Sequence, residues 1–384
     1  MPDSYVTIDL AALTHNARTL TTKYSEYAHF IGIVKGDAYG HGYEAVNALH
    51  KGGVDYFAVS SLGEAKALRA HNQDVPVLCL QPIALSSLNE AAEMKLSLAI
   101  GDIDYLKQFI LLSKNYKFKI HLQIDTGFNR LGFKDKTEIK EAYDILIQNG
   151  HTVEGVYQHF ATAGVFDPHF DEQAKRFVEL TSLLDLSKIP MVHMGSGVAL
   201  LGHEKFPFAN TTRMGLVMYG YNIAPTSYGG GMKNKLREYR DDYYRRKYHL
   251  SQVNRDVELD LIPAMTFKTR VIQTKSVKAS EYIGYDCAYQ AQRDMKIAVL
   301  PVGYNNGIGH QDIGRVVKIG EKHFPVVGEI GMNMLCVEVD DSVHTDDEAT
   351  LLGGSITLGM FSRSSVLGLA EALVGIGKNN VRIY

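Results

Sequence analysis

The chain has 384 residues, 45% of them hydrophobic and 22% charged, with a formal net charge of −3. This length suits one large domain plus a smaller one, and the near-neutral balance argues against nucleic-acid or membrane-surface partners. Residues 1–10 show no basic-then-apolar signal-peptide pattern and no apolar run could span a bilayer, while Cys79, Cys287 and Cys336 lack metal-ligand spacing, so a cytoplasmic protein without a metal site is expected.

A first strand is expected over residues 5–10, paired with the C-terminal part of the chain. Apolar runs then follow at Phe30–Val34, Tyr56–Val59, Val75–Leu80, Leu96–Ile100, Ile120–Ile124, Val153–Tyr157, Pro190–Met194 and Gly215–Tyr219. Helix-like stretches separate them, such as Tyr43–Lys51, Gly63–His71, Lys136–Gln148 and Glu172–Leu184. In the last of these, Phe177, Leu180 and Leu184 recur at helical spacing. Continuous apolar strands alternating with helices predict a parallel sheet buried on both faces. Eight such units in roughly 210 residues fit a (β/α)8 barrel, usually ~250 residues long; a doubly wound sheet fits the same pattern.

The texture changes after Tyr219. Ser227–Arg255 is glycine-rich, then dense in Lys, Arg, Asp and Tyr, and reads as a solvated helical insertion. From Ala264, β-like runs (Met265–Thr274, Ile297–Val302, Arg315–Ile319, Phe324–Val327 and Met334–Val339) predict a mostly-β domain, closed by a helix near Ser364–Val374. The expected division is residues 1–225 as barrel, 226–256 as insertion and 257–384 as β domain.

The chemistry-bearing residues fall at strand ends. Lys35 closes the run IGIV and opens KGDAYGHG, which in a barrel is the catalytic mouth. A lysine there can form a Schiff base, and partial burial makes its amine a usable base; alone, however, a lysine after a strand is an ordinary surface residue. Arg130 lies in HLQIDTGFNRLGF, His159 in EGVYQHFATA, and Arg213 in TTRMGLVMYG after HMGSG. The glycine-rich turns at Ser196, Gly197, Gly215 and Leu216 let backbone N–H groups approach a phosphate closely. Tyr285 and Tyr304 lie in YIGYDCAYQAQRDMKIAVLPVGYNNG, and Met332 in GEIGMNM.

VKGDAYGHG resembles the lysine signature of alanine racemases, and the other motifs follow in that family's order, so the chain is identified as a member over nearly its whole length. The resemblance implies a cytoplasmic isomerase that carries pyridoxal 5'-phosphate on Lys35, with Tyr39, Ser196, Gly197, Arg213, Gly215, Leu216 and Lys378 around the cofactor. It implies Arg130, Tyr304 and Met332 at the substrate, a small amino acid. Lys35 and Tyr285 would be the two bases, on the D- and L-enantiomer faces; a single fixed base would return the proton to the side it left. His159 would orient Tyr285, and a His159–Arg213 pair would lower its pKa from an ordinary value near 10. Arg213, facing the pyridine nitrogen in place of an acid, would keep the ring a weaker electron sink. The family's tyrosine comes from the partner subunit, which implies a homodimer with shared sites.

Several positions depart from the family. Gln123 stands where a carbamylated lysine helps hold the arginine, and Ser196–Gly197 replace an Asn–Ser pair. Gly164 and Glu329 replace an Asp and an Arg at the mouth of the substrate channel, and Asn306 and Asn333 replace aspartates. Lys378 aligns with a tyrosine that contacts phosphate and narrows the pocket. The expected function is alanine racemisation, with serine or a broader substrate range as the alternative. Behind these stand a decarboxylase of basic amino acids, disfavoured by Arg213, and a non-catalytic cofactor-binding protein, disfavoured by the second domain.

Overall fold

The computed structural model describes residues 2–164, 168–227, 229–309, 315–361 and 366–384. Tyr228 of the insertion and Ser364, the expected start of the closing helix, lie outside the described residues. The chain divides into two compact units, one of Thr14–Lys35 with Val46–Leu261, the other of Met1–Leu13, Gly36–Ala45 and Ile262–Tyr384. No helix among the described residues is long and apolar enough to cross a membrane.

Strand β1 (Ser4–Ile8) belongs to the second unit. The first unit is built on eight parallel strands: β2 (His29–Ile33), β3 (Tyr56–Val59), β4 (Val77–Cys79), β5 (Leu96–Ile100), β6 (Lys119–Gln123), β7 (Thr152–Tyr157), β8 (Met191–His193) and β9 (Thr211–Met214). They close in sequence order, with β9 returning to pair with β2, which excludes an open doubly wound sheet. Strands β3, β4 and β5 are buried along their whole length, as parallel strands covered on both faces must be. Side-chain caps start the outer helices. Ser61 accepts from Glu64 N, Asp102 from Tyr105 N, and Asp135 from the N–H groups of Thr137 and Glu138, each relieving amides that have no intrahelical partner.

Some boundaries differ from the reading of the sequence; the first strand, for example, is Ser4–Ile8 rather than residues 5–10. The eighth strand is Thr211–Met214, and the apolar run Leu216–Tyr219 forms a 3-10 turn. A short buried run looks alike in either state, and the turn ends on Gly220 in the left-handed region (φ +97°). The helix expected over Glu172–Leu184 spans Pro168–Leu180, because proline opens a helix readily at its first turn. The insertion carries one helix, Met232–Lys247, with Asp241 as its buried residue.

The second unit holds β10 (Met265–Arg270), β11 (Gln273–Val277), β12 (Tyr282–Ile283), β13 (Tyr289–Gln290), β14 (Met295–Leu300), β15 (Val316–Ile319), β16 (Lys322–Val327), β17 (Leu335–Val339), β18 (Glu348–Leu352) and β19 (Val381–Ile383). A nine-stranded sheet runs β11-β14-β17-β16-β15-β18-β10-β1-β19, and β12 pairs with β13 alone. The run Met265–Thr274 splits because the backbone changes partners. Val271 N donates to Asp347 O and Ile272 N to Val299 O, so β10 pairs with β18 and β11 with β14. The closing helix is Val366–Asn379.

Candidate active site

The candidate residues of the barrel unit lie at or beyond the carboxyl ends of its strands, the face on which barrel enzymes carry chemistry. Lys35 comes two residues after β2, whose last carbonyl, Ile33 O, accepts from the buried Tyr219 hydroxyl at 3.0 Å. Lys35 is open to solvent, yet its pKa is lowered by the surrounding protein and by the charges of Arg130 and Arg213, against an opposing pull from Glu64.

The segment after Lys35 belongs to the second unit and has an unusual backbone. Gly36, Asp37, Ala38 and Tyr39 all have positive φ, at +66°, +59°, +51° and +53°. Left-handed geometry costs an L-residue roughly 1–2 kcal/mol, so three such residues in a row need anchoring. Gly40 N donates to Gly36 O and Gly42 N to Asp37 O, both at 3.0 Å. Arg382 is ion-paired with Asp37, and the His41 Nδ1–H is shared by the carbonyls of Ala38 and Tyr39 at 3.1 Å. Burial lowers the His41 pKa to about 4, so that ring is neutral. Gly40 and Gly377 are packed so closely that a Cβ on Gly377 would lie 1.9 Å from Gly40 O.

Arg213, in β9, is 3% exposed and donates through both terminal nitrogens. Its Nη1 donates to His193 Nδ1 (2.9 Å) and His193 O (3.0 Å). Its Nη2 donates to Gln158 O (2.8 Å), His159 Nδ1 (3.3 Å) and Met194 O (3.4 Å). Every one of these acceptors is neutral. Burial lowers the Arg213 pKa to about 10, which leaves the group charged at neutral pH.

His159 is held to about 3 by burial and by the charges of Arg213, Arg130 and Lys35. Its ring is therefore neutral, and with Nδ1 accepting from Arg213 the proton sits on Nε2, leaving an N–H donor there. The His159–Arg213 pair is thus one cation and one oriented neutral imidazole. Two buried glutamines brace this corner. Gln173 Nε2 donates to His159 O (3.1 Å) and Thr126 Oγ1 (3.0 Å), and Thr126 Oγ1 donates to Gln158 Oε1 (2.9 Å). Arg130 is exposed, with its guanidinium carbon 4.3 Å from the Phe128 ring centroid; that ring lies 5.1 Å from His159. Gln123, at the end of β6, is 8% exposed.

Ser196 caps the short helix Gly197–Gly202 after β8, and Gly215 with Leu216 opens the 3-10 turn after β9. The barrel unit thus brings together Lys35, Arg130, His159, Ser196, Gly197, Arg213, Gly215 and Leu216 on one set of strand ends. The other candidates belong to the second unit. Tyr285 is 69% exposed, Met332 54% and Tyr304 40%. Lys378 is exposed in the last turn of the closing helix. Reading the motifs missed the interior partners His121, Glu154 and Gln158. Their signal was present, since a polar residue inside an otherwise apolar parallel strand needs a buried partner.

A closed parallel barrel with a lysine, two arginines and a histidine at its strand ends, continuous in one chain with a mixed β sheet, defines a two-unit barrel enzyme. The family model described as alanine racemase, N-terminal domain, matches residues 8–223, and that of the C-terminal domain matches residues 264–384. An alanine racemase 2 of Caldanaerobacter subterraneus subsp. tengcongensis is 30% identical over 396 residues, covering 99% of this chain and 94% of that protein. An alanine racemase of Streptococcus pneumoniae is 30% identical over 353 residues, 91% of this chain and 88% of that one. The crystal structure of the E. faecalis alanine racemase superposes with a TM-score of 0.84 at 26% identity, covering 100% of this chain and 98% of that one. The Bacillus anthracis alanine racemase with bound L-Ala-P gives 0.80 at 26% identity, over 98% and 93%. The chain belongs to the alanine racemase family and is an isomerase, a racemase.

Proposed function

We propose that this racemase is a cytoplasmic enzyme that interconverts L- and D-alanine with pyridoxal 5'-phosphate bound at Lys35, and that Lys35 and Tyr285 are its two bases. The observation that carries the reading is Arg213, a buried cation whose hydrogen bonds all go to neutral acceptors. A site built this way suits an anionic cofactor that presents a ring-nitrogen lone pair. Lys35, with its lowered pKa, suits covalent attachment of an aldehyde. The N–H groups around Ser196, Gly197, Gly215 and Leu216, with Tyr39 and Lys378, are proposed to hold the phosphate.

When bound, the cofactor acidifies the α-hydrogen of the amino acid by conjugation. The rest falls to the chain's own groups. Arg213 would face the ring nitrogen and, being no acid, would supply it with no proton. Arg130 and the Met332 N–H bind the substrate carboxylate, and Tyr304 lines the substrate. Lys35 Nζ moves the proton on one face and the Tyr285 oxygen on the other. The Nε2–H of His159 is the donor that would hold the Tyr285 phenolate. With Tyr285 supplied by a second copy of the chain, the active species is a homodimer.

The test is a chiral panel. Purified protein with pyridoxal phosphate is offered L-alanine, L-serine and larger L-amino acids, with Lys35→Ala as control. D-alanine formed fastest supports the reading, and a yellow protein that makes no D-product overturns it. A wider preference that includes serine is the second reading, favoured by Lys378 in place of a ring and by Gly164 and Glu329 in place of a charged pair. A serine-to-alanine kcat/KM ratio no higher than in tyrosine-bearing relatives removes it.

A further inference from the structure

The guanidinium of Arg213 is the near end of a polar chain threaded through the barrel interior. Arg213 Nη1 meets His193 Nδ1 at 2.9 Å, His193 Nε2 meets His121 Nδ1 at 2.9 Å, and His121 Nε2 meets Glu154 Oε2 at 3.2 Å. Both imidazoles are fully buried (0% exposed). Glu154 Oε2 also accepts from the Tyr56 hydroxyl (2.7 Å) and Ser97 Oγ (2.9 Å), and Glu154 Oε1 from Lys119 Nζ (2.7 Å), the chain's outlet to solvent.

Donor chemistry leaves this chain one direction. A guanidinium has only N–H groups to offer, so His193 Nδ1 is the acceptor and the His193 proton is on Nε2. That proton points at His121 Nδ1, which must accept, so the His121 proton is on Nε2 and points at Glu154. Both rings are neutral, because burial drives the His193 pKa well below its usual value and lowers that of His121. Burial alone would raise the Glu154 pKa, but hydrogen bonds from His121, Lys119 and Tyr56 outweigh it and keep the carboxylate charged.

The backbone is shaped for this geometry. Ile120 pairs with Val153 but His121 pairs with Gly155, which makes Glu154 the extra residue of a β-bulge in β7; such bulges re-aim side chains beside functional sites. At Gly155 a Cβ would lie 2.2 Å from His121 Nδ1, so the glycine makes room for the ring. Tyr157 stacks on His193 with centroids 4.7 Å apart and planes 9° from parallel.

We propose that Glu154 is a positioning residue for Arg213, acting by fixing the tautomers of His121 and His193 so that a lone pair, and never an N–H, faces the guanidinium. The proposal rests on the proposed function for what Arg213 then does. Without an acceptor at position 154, the His121 Nε2–H is orphaned at a cost of ~1–3 kcal/mol. The reversed tautomers then become competitive, and they set an N–H of His193 against Arg213. The requirement is for an acceptor at Oε2; the negative charge itself is secondary.

The test compares Glu154→Leu with Glu154→Gln. The glutamine carbonyl takes the place of Oε2, and its amide faces Lys119, which is 60% exposed and free to swing outward. Histidine-labelled 15N spectra of wild type and both variants, recorded with and without pyridoxal phosphate, read the tautomers. The two resonances are identified by their loss in His121→Phe and His193→Phe. Expected for wild type and Glu154→Gln is a single Nε2–H form at both rings at neutral pH. Expected for Glu154→Leu is a tautomer mixture at His193, a changed visible band of the bound cofactor, and kcat lowered by roughly 10–100-fold, as for other groups that orient a reacting centre from behind. KM should move less than about threefold, since substrate contacts are untouched. If Glu154→Leu does not fold, His121→Phe makes the same break and the same expectation applies at His193. A single unchanged tautomer with wild-type kcat in the broken variants overturns the proposal, as does a Glu154→Gln enzyme as impaired as Glu154→Leu. Absence of cofactor binding or of D-product in the wild type would overturn the proposed function instead, while the tautomers remain readable in the cofactor-free protein.

Discussion

The interior of the barrel and the Tyr285 segment of the second unit solve opposite problems. Around Arg213 both terminal guanidinium nitrogens donate to acceptors inside the chain, and His121, His193 and Gln158 are wholly buried. Around Tyr285 the ring is 69% exposed, and Asp286 and Cys287 have φ of +54° and +52°. The first region is organised before anything binds, at the cost of burying charge, which the hydrogen bonds to Arg213 Nη1 and Nη2 offset. The second presents its candidate groups, Tyr285, Tyr304 and Met332, outward. Such a segment is compatible with the proposal that Tyr285 completes the site of a second copy of the chain.

The sharpest break of this contrast is genetic mixing. Lys35→Ala and Tyr285→Phe are each expected to lower racemisation by about 10²–10⁴-fold or more, the usual worth of a positioned acid–base group. Co-refolded mixtures should recover part of the activity, because one site per heterodimer carries both intact residues. A mixture that stays inactive while heterodimers demonstrably form removes the shared site.

A large effect on stability is expected from acid. His41, His121, His159 and His193 are held neutral, with native pKa values below the ordinary 6.5 (about 4 for His41 and about 3 for His159). Below about pH 6.5 the unfolded chain takes up protons that these native rings refuse, so stability is intact above that pH and falls as pH drops toward the native values. The slope is on the order of 1.4 kcal/mol per pH unit per histidine. Denaturant midpoints at pH 7 and pH 5 measure it, and coincident midpoints would mean the rings are not buried neutral.

Smaller still is the expected cost of Gly155→Ala, about 1–3 kcal/mol as for other overpacked interiors, because the new methyl meets the His121 ring. Its urea midpoint should fall below that of wild type, and an unchanged midpoint would show the His121 pocket to be loose. The smallest effect belongs to the outward-facing group Lys378. Lys378→Ala should weaken pyridoxal phosphate binding by no more than about tenfold, roughly 1.4 kcal/mol, as read by absorbance titration; a larger loss would make this exposed lysine a principal phosphate anchor.

Much of the molecule was legible before folding. The apolar runs marked the barrel strands because burial on both faces demands uninterrupted hydrophobic sequence. The motif around Lys35 located the candidate lysine at a strand end. The run Gly215–Tyr219 misled, since four buried apolar residues suit a 3-10 turn as well as a strand.

The sequence by itself determined the family, the order of barrel strands and the identity of Lys35, Arg130, His159 and Arg213 as candidates, because these depend on local pattern and residue chemistry. Only the tertiary structure decided what surrounds them. The chain from Arg213 to Glu154 joins residues from β6, β7, β8 and β9. It exists because parallel pairing sets those four strands side by side and a bulge at Glu154 turns one carboxylate toward one imidazole. Tautomers, burial and pKa shifts are properties of that enclosure, since a group's desolvation and partners are set by atoms distant in the chain.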